Sequence, residues 1–166
     1  PILWGGNGSS CIGTLLVPSE YSSIQSAIDA ASEGDSVLVS AGTYYENIVW
    51  AATNGIKLIG SGEDDCIIDG DSLASVIRFE EDLGGIIDST TLITGFTIQN
   101  GNGQDEQDND LQIVGWGGGL YLYMSSPTLM DVTFSDNTAT MGGGMQLWQS
   151  SPTLTNVTIS GNTATT

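Results

Sequence analysis

The stretch GGGLYLYMSSPTLMDVTFSDNTAT, residues 117–140, is repeated almost at once as GGGMQLWQSSPTLTNVTISGNTAT, residues 142–165. The two copies align without a gap at a constant offset of 25 residues. Each copy holds two short alternating strand patterns, separated by glycine, serine, proline and asparagine. A repeat of this length, built only from strands and turns, predicts one coil of a parallel β-helix.

Alternation along each strand predicts which side chains point into such a coil. The first and third residues of LYLY (120–123) and of MQLW (145–148) should point inward, and Tyr121, Tyr123 and Trp148 outward.

The turns of the two copies should also lie one above the other, because each position stacks on its copy. Val132 and Phe134 then fill the core, and Asn137 above Asn162 predicts a side-chain amide ladder.

The remainder of the chain divides into an arm, residues 1–16, and a single β-helix domain, residues 17–166. An amphipathic helix is expected over 22–32, with Ser22 or Ser23 as its N-cap and Gly34 ending it. Solenoids cover their exposed ends with an atypical element, so this helix is expected to cap the first coil.

Two further segments resemble pectin-lyase-like β-helix proteins. VPSEYSSIQSAIDAASEGDSVLVSAGTYYENI (17–48) resembles their N-terminal cap and first coil, and GIKLIGSGEDDCIIDG (55–70) resembles the next coil. TLITGFTIQNG (91–101) begins another coil. The resemblance implies an all-β chain folded as a right-handed parallel β-helix, and the repeat length gives about five coils.

The repeats themselves are similar to those of polymorphic outer-membrane proteins. FSDN (134–137) followed by GGGM (142–145) matches the paired F-x-x-N and G-G-A-I motifs of that family, and ISGN (159–162) has isoleucine in place of phenylalanine. In that family such repeats build the passenger β-helix of surface adhesins. The resemblance implies an extracellular or cell-surface location and an adhesive role.

The charge of the chain excludes several kinds of partner. It has 166 residues with 20 acidic side chains, no histidine and only two basic residues, Lys57 and Arg78, which gives a net charge of −18. Nucleic acids and anionic membranes are bound mainly through lysine and arginine, so neither is expected as a partner. No apolar run is long enough to span a membrane, so insertion is not expected.

Catalysis has to be considered because the pectin-lyase-like fold hosts polysaccharide lyases and hydrolases. Lyases of this kind need a basic residue beside carboxylates, but Lys57 and Arg78 both alternate with apolar residues as outward strand positions. The acidic clusters at 63–65 and 80–82 lie in predicted turns. We therefore expect a non-catalytic protein, with a carbohydrate-active enzyme or carbohydrate-binding module as the alternative.

The segment 102–110 is predicted to be an acidic loop that interrupts the repeats. Asp105, Glu106, Asp108 and Asp110 are candidate calcium ligands, since calcium takes six to eight oxygen ligands. A merely solvated loop is the alternative. No other cofactor is expected.

Two further sets of residues are candidates for contacts. Tyr121, Tyr123, Trp148 and the arm residue Trp4 are candidate binding or interface residues, because exposed rings hold sugars or pack against proteins. Cys11 and Cys66 either form a disulfide in an exported protein, or Cys66 is a small buried core residue.

The second repeat is followed directly by the last residue given, Thr166. An open solenoid edge is a template for pairing. It indicates either a fragment with neighbouring repeats or a subunit that stacks head to tail with itself. The leading hypothesis is a non-catalytic structural or adhesive β-helix that self-associates end to end.

Overall fold

The computed structural model describes residues 12–107 and 113–166, and this part of the chain is mostly β-strand. Its strands are β1 (Thr14–Val17), β2 (Ser36–Val39), β3 (Gly42–Tyr45), β4 (Ile48–Val49), β5 (Lys57–Gly60), β6 (Cys66–Asp69), β7 (Ile77–Phe79), β8 (Leu92–Gln99), β9 (Gln104–Gln107), β10 (Ile113–Trp116), β11 (Leu120–Tyr123), β12 (Thr128–Ser135), β13 (Thr138–Ala139), β14 (Met145–Trp148), β15 (Thr153–Ser160) and β16 (Thr163–Ala164). The described residues also contain one α-helix, α1 (Ile24–Ala30), and a 3₁₀ turn, Glu81–Leu83.

The strands form stacked parallel sheets in which neighbours come from successive parts of the chain. One sheet has the order β1-β2-β5-β8-β12-β15. In the same sheet, β6 pairs with the second half of β8, and β3 pairs with β6. A second sheet has the order β4-β7-β11-β14, and β13 pairs with β16. Within the described ranges, only β9 and β10 pair antiparallel. This arrangement is compatible with a parallel β-helix.

The register between the two repeats follows the 25-residue offset. Leu120 lies beside Met145 and Tyr123 beside Trp148, while the longer strands align Thr128 with Thr153. The stacking of each position on its copy is therefore confirmed.

The long strands bend at one residue with positive φ. Gly95, Asp131 and Asn156 occupy this position in β8, β12 and β15, with φ of +76°, +49° and +51°. Glycine, asparagine and aspartate tolerate this left-handed conformation best. The Asn156 amide also donates to the Asp131 carboxylate at 2.7 Å. The chain thus turns from one face of the stack to the next at the same height in each repeat.

The predicted inward residues form the core. Leu120, Leu122, Val132 and Phe134 are fully buried, and Ala139 is almost so. The core continues through the earlier strands with Ile68, Phe79, Phe96 and Ile98 among its fully buried members. Alternation therefore predicted the inward residues of the first copy correctly.

The predicted amide ladder is present at the turn after β12. Asn137 is fully buried, and its Nδ2 donates to Asn162 Oδ1 at 2.9 Å and to the Ile98 carbonyl at 3.0 Å. Its Oδ1 accepts from the Gly101 N–H at 2.8 Å. Gly101 takes the place of the ladder asparagine in the preceding strand, and a β-carbon there would collide with the Gly118 carbonyl. One side chain thus satisfies two backbone groups at the end of β8 and joins them to Asn162 of the following repeat.

The predicted helix is present and shorter than 22–32. Ser23 is its N-cap and accepts from the Ser26 N–H, and the helix ends at Ala31. Gly34, with φ of +89°, lies in the turn that follows. The buried face of α1 packs against β1, β2 and β4, so the helix lies at the N-terminal end of the stacked sheets. No helix in the described ranges is long and apolar enough to cross a membrane.

The acidic segment 102–110 is not simply a loop. Gln104–Gln107 forms β9, which pairs antiparallel with β10, so a β-hairpin leaves the stack at this point. The prediction of a loop was wrong for these four residues, because cross-strand pairing with Ile113–Trp116 outweighs the low strand propensity of acidic side chains.

We expect Asn137→Ala to lower the free energy of unfolding by about 2–4 kcal/mol, because it leaves the buried Gly101 N–H and Ile98 carbonyl without partners. Asn102→Ala is the matched control. It makes the same chemical change at an exposed site, where the side chain donates only to the Ser72 carbonyl at 3.4 Å, and should cost less than about 1 kcal/mol. Urea unfolding followed by circular dichroism measures both variants, and equal losses of stability would contradict the importance of the buried Asn137 amide.

Candidate functional site

The last repeat presents unpaired strand edges, which we call the open end: the outer edges of β14, β15 and β16. Each strand pairs on one side, with β11, β12 and β13 respectively, and has no partner on the other side among the described residues. An edge of this kind offers a row of N–H and C=O groups to another strand.

The open end also exposes core side chains. Leu147, Leu154 and Ile159 are 41%, 47% and 55% exposed. The residues stacked beneath them, Leu122, Leu129 and Phe134, are all 0% exposed. The alternation is the same in both repeats, so Leu147 keeps its inward register, and no strand among the described residues covers it.

The open end carries no charge. No acidic or basic residue follows Asp136 in the sequence, although the whole chain has a net charge of −18. Natural edge strands are often protected against pairing by charged side chains, and β14, β15 and β16 lack this protection. The open end therefore combines free backbone groups, exposed apolar side chains and no charge.

At the opposite end of the stack, the outer edges of β1 and β4 are satisfied by a turn and by side chains, whereas β3 has no strand partner on its outer edge among the described residues. In β1 the Leu16 N–H donates to the Glu20 carboxylate at 3.2 Å, and its carbonyl accepts from the Glu20 and Tyr21 N–H groups at 2.9 and 3.0 Å. In β4 the Gln25 amide accepts from the Val49 N–H at 2.8 Å and donates to the Val49 carbonyl at 2.9 Å. Gln25 therefore takes the place of the peptide group of a neighbouring strand beside Val49.

Helix α1 holds Gln25 in this position. The Glu46 carboxylate accepts from the Ile24 and Gln25 N–H groups at 2.8 and 2.9 Å. A carboxylate is favourable there, since the first N–H groups of a helix lack partners in the helix itself. Sequence reasoning found the helix and did not find this edge closure, which depends on a contact between residues far apart in sequence.

The predicted aromatic surface is partly correct. Tyr123 and Trp148 are neighbours in register, and Trp148 is 43% exposed. Tyr121 is only 9% exposed, so its prediction as an exposed interface residue was wrong. Trp116, at the end of the hairpin, lies against its ring with centroids 6.2 Å apart and covers it. Trp4 lies outside the described residues.

Trp116 and Glu81 add to this aromatic surface. The Trp116 ring meets Trp148 edge-on, with centroids 6.1 Å apart. The Tyr123 hydroxyl donates to Glu81 Oε1 at 3.4 Å. Desolvation and the neighbouring Glu81 carboxylate raise the pKa of Tyr123. The aromatic surface therefore consists of Tyr123, which contacts Glu81, and Trp148, which contacts Trp116. Trp148 is the more exposed of the two rings.

The calcium candidates are only partly described. Asp105 and Glu106 lie in β9, while Asp108 and Asp110 lie outside the described residues. Within the described part of the chain, no group of three or more acidic, cysteine or histidine side chains is arranged to hold a metal ion. Calcium binding by the hairpin stays a prediction.

The remaining charged candidates make structural contacts. Arg78 pairs with Glu80 at 2.9 Å, and Lys57 Nζ donates to the Gly34 carbonyl at 3.4 Å. In the acidic turn at 63–65, Glu63 accepts from the Thr133 hydroxyl at 2.6 Å. These contacts tie neighbouring strands and turns together.

Cys66 is buried in the core, and its Sγ donates to the Ser40 carbonyl at 3.5 Å. Burial raises the pKa of this thiol. Cys11 lies outside the described residues, so its pairing with Cys66 stays a prediction.

Asp69 is the best-connected buried acid of the described residues. Its carboxylate accepts from Gln99 Nε2 at 2.9 Å, from Asn100 Nδ2 at 2.8 Å and from the Asp71 N–H at 2.9 Å. Burial acts to raise the pKa of Asp69, but these three donors outweigh it and hold the pKa below its ordinary value. The carboxylate joins β6 to β8 and requires no ligand to explain it.

Comparison with known proteins adds no relative. No protein-family model matches the chain, and no curated protein or solved structure matches it either. Function is therefore inferred from the chemistry of the open end and of the aromatic surface.

We expect Asp69→Asn to destabilise the fold by about 1–2 kcal/mol at neutral pH, since a charged acceptor of three hydrogen bonds is replaced by a neutral one. Because the folded pKa is lowered, this contribution is present above about pH 4, the ordinary aspartate range. It disappears as pH falls through the folded pKa. The exposed Asp64→Asn removes the same charge and is the control. Unfolding curves from pH 7 to pH 2 should converge for wild type and Asp69→Asn; a constant gap would refute the assignment.

Proposed function

We propose that this protein is a non-catalytic structural or adhesive β-helix that acts outside the cell or at its surface and assembles with itself through the open end. The observation that carries the proposal is the uncharged, apolar edge of β14, β15 and β16 in a strongly acidic chain. Free strand edges and exposed core residues both favour association with another β-structure.

The energetics favour association that depends on concentration. Complete burial of a leucine or isoleucine side chain contributes about 1.5–3 kcal/mol, so three half-exposed side chains contribute on the order of 3 kcal/mol. Loss of translational and rotational freedom costs at least about 4 kcal/mol. Hydrogen bonds along the three strand edges must supply the remainder, and long strands such as β15 offer the most.

The finer description of the fold belongs to the same proposal. The parallel sheet order and the repeat register support a single right-handed, pectin-lyase-like β-helix of about five coils over residues 17–166. The FSDN and GGG segments support repeats of the polymorphic outer-membrane type, and with them the adhesive role.

A structural role is also supported by the chemistry of the charged residues. Each of the two basic side chains makes a contact within the stack, Arg78 with the Glu80 carboxylate and Lys57 with the Gly34 carbonyl. Calcium bound by Asp105, Glu106, Asp108 and Asp110 would reduce repulsion within the hairpin and is retained as part of the proposal.

We expect Leu154→Glu/Ile159→Lys to abolish self-association without changing net charge or unfolding the chain, because both side chains are already about half exposed. Sedimentation velocity across a range of concentrations, with electron microscopy of the assemblies, makes the measurement. Leu73→Lys/Ile12→Glu is the matched control, since these side chains are each 73% exposed away from the open end.

The wild-type chain and the control should associate alike as concentration rises, and the open-end variant should sediment as a monomer. A wild-type chain that stays monomeric at every concentration would overturn the proposed function. Association that survives the open-end substitutions would place the contact elsewhere on the molecule.

Carbohydrate binding is the second candidate, and one observation favours it. Trp148 is exposed beside Tyr123, and the Trp116 ring contacts it edge-on. The ion pair of Arg78 and Glu80 lies in and directly after β7, the strand that pairs with that of Tyr123. An accessible ring beside polar side chains is a common surface for the apolar face of a sugar.

We expect Trp148→Ala to remove retardation of the protein in affinity electrophoresis through neutral polysaccharides, if this surface binds sugar. Tyr45→Ala is the control, because Tyr45 is an exposed aromatic residue on a different sheet. Equal mobility of wild type, variant and control in every gel of the panel would reject the second candidate.

A further inference from the structure

We propose that Asn54 and Gly55 form a site of spontaneous modification, at which the Gly55 nitrogen attacks the Asn54 side chain and ammonia leaves. An Asn-Gly pair suits this reaction because glycine has no side chain to hinder the attack. The chain has four Asn-Gly pairs, and the described residues include three of them: Asn54-Gly55, Asn100-Gly101 and Asn102-Gly103. Of these three, the first has the surroundings that the reaction needs.

The reaction exchanges one amide bond for another. A bond forms between the Gly55 nitrogen and the side-chain carbonyl carbon of Asn54. The bond from that carbon to Nδ2 breaks, and Nδ2 leaves as ammonia with the proton that the Gly55 nitrogen gives up. Water then opens the cyclic imide at one of its two carbonyl groups. The product is aspartate or isoaspartate, and either one adds a negative charge at residue 54.

One hydroxyl group contacts both reacting groups. Thr91, the residue before β8, is fully buried, and its Oγ1 accepts from the Gly55 N–H at 2.9 Å. The same hydroxyl donates to Asn54 Oδ1 at 2.9 Å. A hydroxyl in this position can take the proton of the attacking nitrogen while it gives its own proton to the carbonyl oxygen. The two transfers leave the hydroxyl unchanged, so Thr91 acts as a proton shuttle.

A second donor polarises the Asn54 carbonyl group. Its Oδ1 accepts from the Asp88 N–H at 3.1 Å in addition to the Thr91 hydroxyl. Negative charge develops on this oxygen when the nitrogen attacks, and two donors already in place stabilise that charge as in an oxyanion hole. Asn54 is only partly buried, so water can reach the imide. The turn therefore supplies the contacts for both steps of the reaction.

The nitrogen atoms of the other two pairs have different partners. The Gly101 N–H donates to the side-chain carbonyl of Asn137, and the Gly103 N–H donates to the backbone carbonyl of Thr138, both at 2.8 Å. An amide carbonyl accepts a hydrogen bond but has no proton to pass on. These hydrogen bonds hold the two nitrogens without helping them to lose a proton, so both pairs should react more slowly.

The modification changes the charge of a turn that is already acidic. Asn54 accepts from the backbone of Asp88, so the new carboxylate lies beside a residue that carries a charge of the same sign. It also adds one negative charge to a chain whose net charge is −18. Conversion of Asn54 therefore introduces repulsion between the turn that precedes β5 and the turn that precedes β8.

Mass spectrometry of the wild-type chain tests the proposal without any substitution. The folded protein is incubated at mildly alkaline pH in heavy-oxygen water, which labels each residue that passes through the imide, and is then digested in acid. We expect Asn54 to convert several-fold faster than Asn100 and Asn102. In urea the three rates should become similar, because each pair then lacks its folded surroundings. Equal rates in the folded chain, or no conversion of Asn54, would overturn the proposal.

Substitution of Thr91 tests the proton shuttle. Thr91→Val removes the hydroxyl and should slow conversion of Asn54 at least about tenfold, while the rate at Asn102 stays unchanged. Thr91→Ser keeps the hydroxyl and should convert at nearly the wild-type rate. Circular dichroism verifies that both variants are folded, and the wild-type comparison of the three sites decides the matter if Thr91→Val is not. Faster conversion of Asn54 in folded Thr91→Val would show that the hydroxyl protects the pair, and would overturn the proposal.

Discussion

The structure depends on one constraint: every strand must pair its backbone with the same part of the next repeat. Parallel neighbours at a fixed offset place identical positions side by side, so a residue must suit both its own repeat and the two that flank it. The left-handed residues at the bend of the long strands show this, because Gly95, Asp131 and Asn156 all tolerate positive φ at the same height. The turns obey the same constraint, because the Asn137 amide connects the end of β8 with its own turn and with Asn162 of the next repeat.

Pairing by repetition leaves two ends that repetition cannot satisfy. At one end α1 supplies a solution that uses no strand, because the Gln25 amide takes the place of a peptide group beside Val49. Glu20 and Tyr21 do the same beside Leu16. At the other end of the described structure, the outer edges of β14, β15 and β16 have no strand partner, and Leu147, Leu154 and Ile159 are about half exposed. Repetition alone therefore leaves backbone groups and core side chains that another element has to cover.

The sequence predicted the features that repetition encodes. The strand pattern, the inward residues Val132 and Phe134, the ladder of Asn137 and Asn162 and the pairing of Tyr123 with Trp148 all follow from period two within a strand and from the offset between copies. It did not predict what lies outside the repeat. Tyr121 was expected to be exposed, but Trp116 covers it, and that contact arises from a hairpin in a segment with an acidic, loop-like composition. The roles of Gln25 and Glu46 depend on contacts more than twenty residues away in sequence, so no local pattern reveals them.

The distribution of charge connects this architecture to assembly. A net charge of −18 keeps molecules apart in solution, and it would oppose any contact between acidic faces. The residues after Asp136 carry none of that charge, although an exposed strand edge is where charge would best prevent pairing. The acidic side chains and the exposed apolar side chains of the open end therefore lie on different parts of the described structure. Salt screens repulsion between acidic surfaces much more than it weakens the burial of apolar side chains, so higher ionic strength favours the association proposed above.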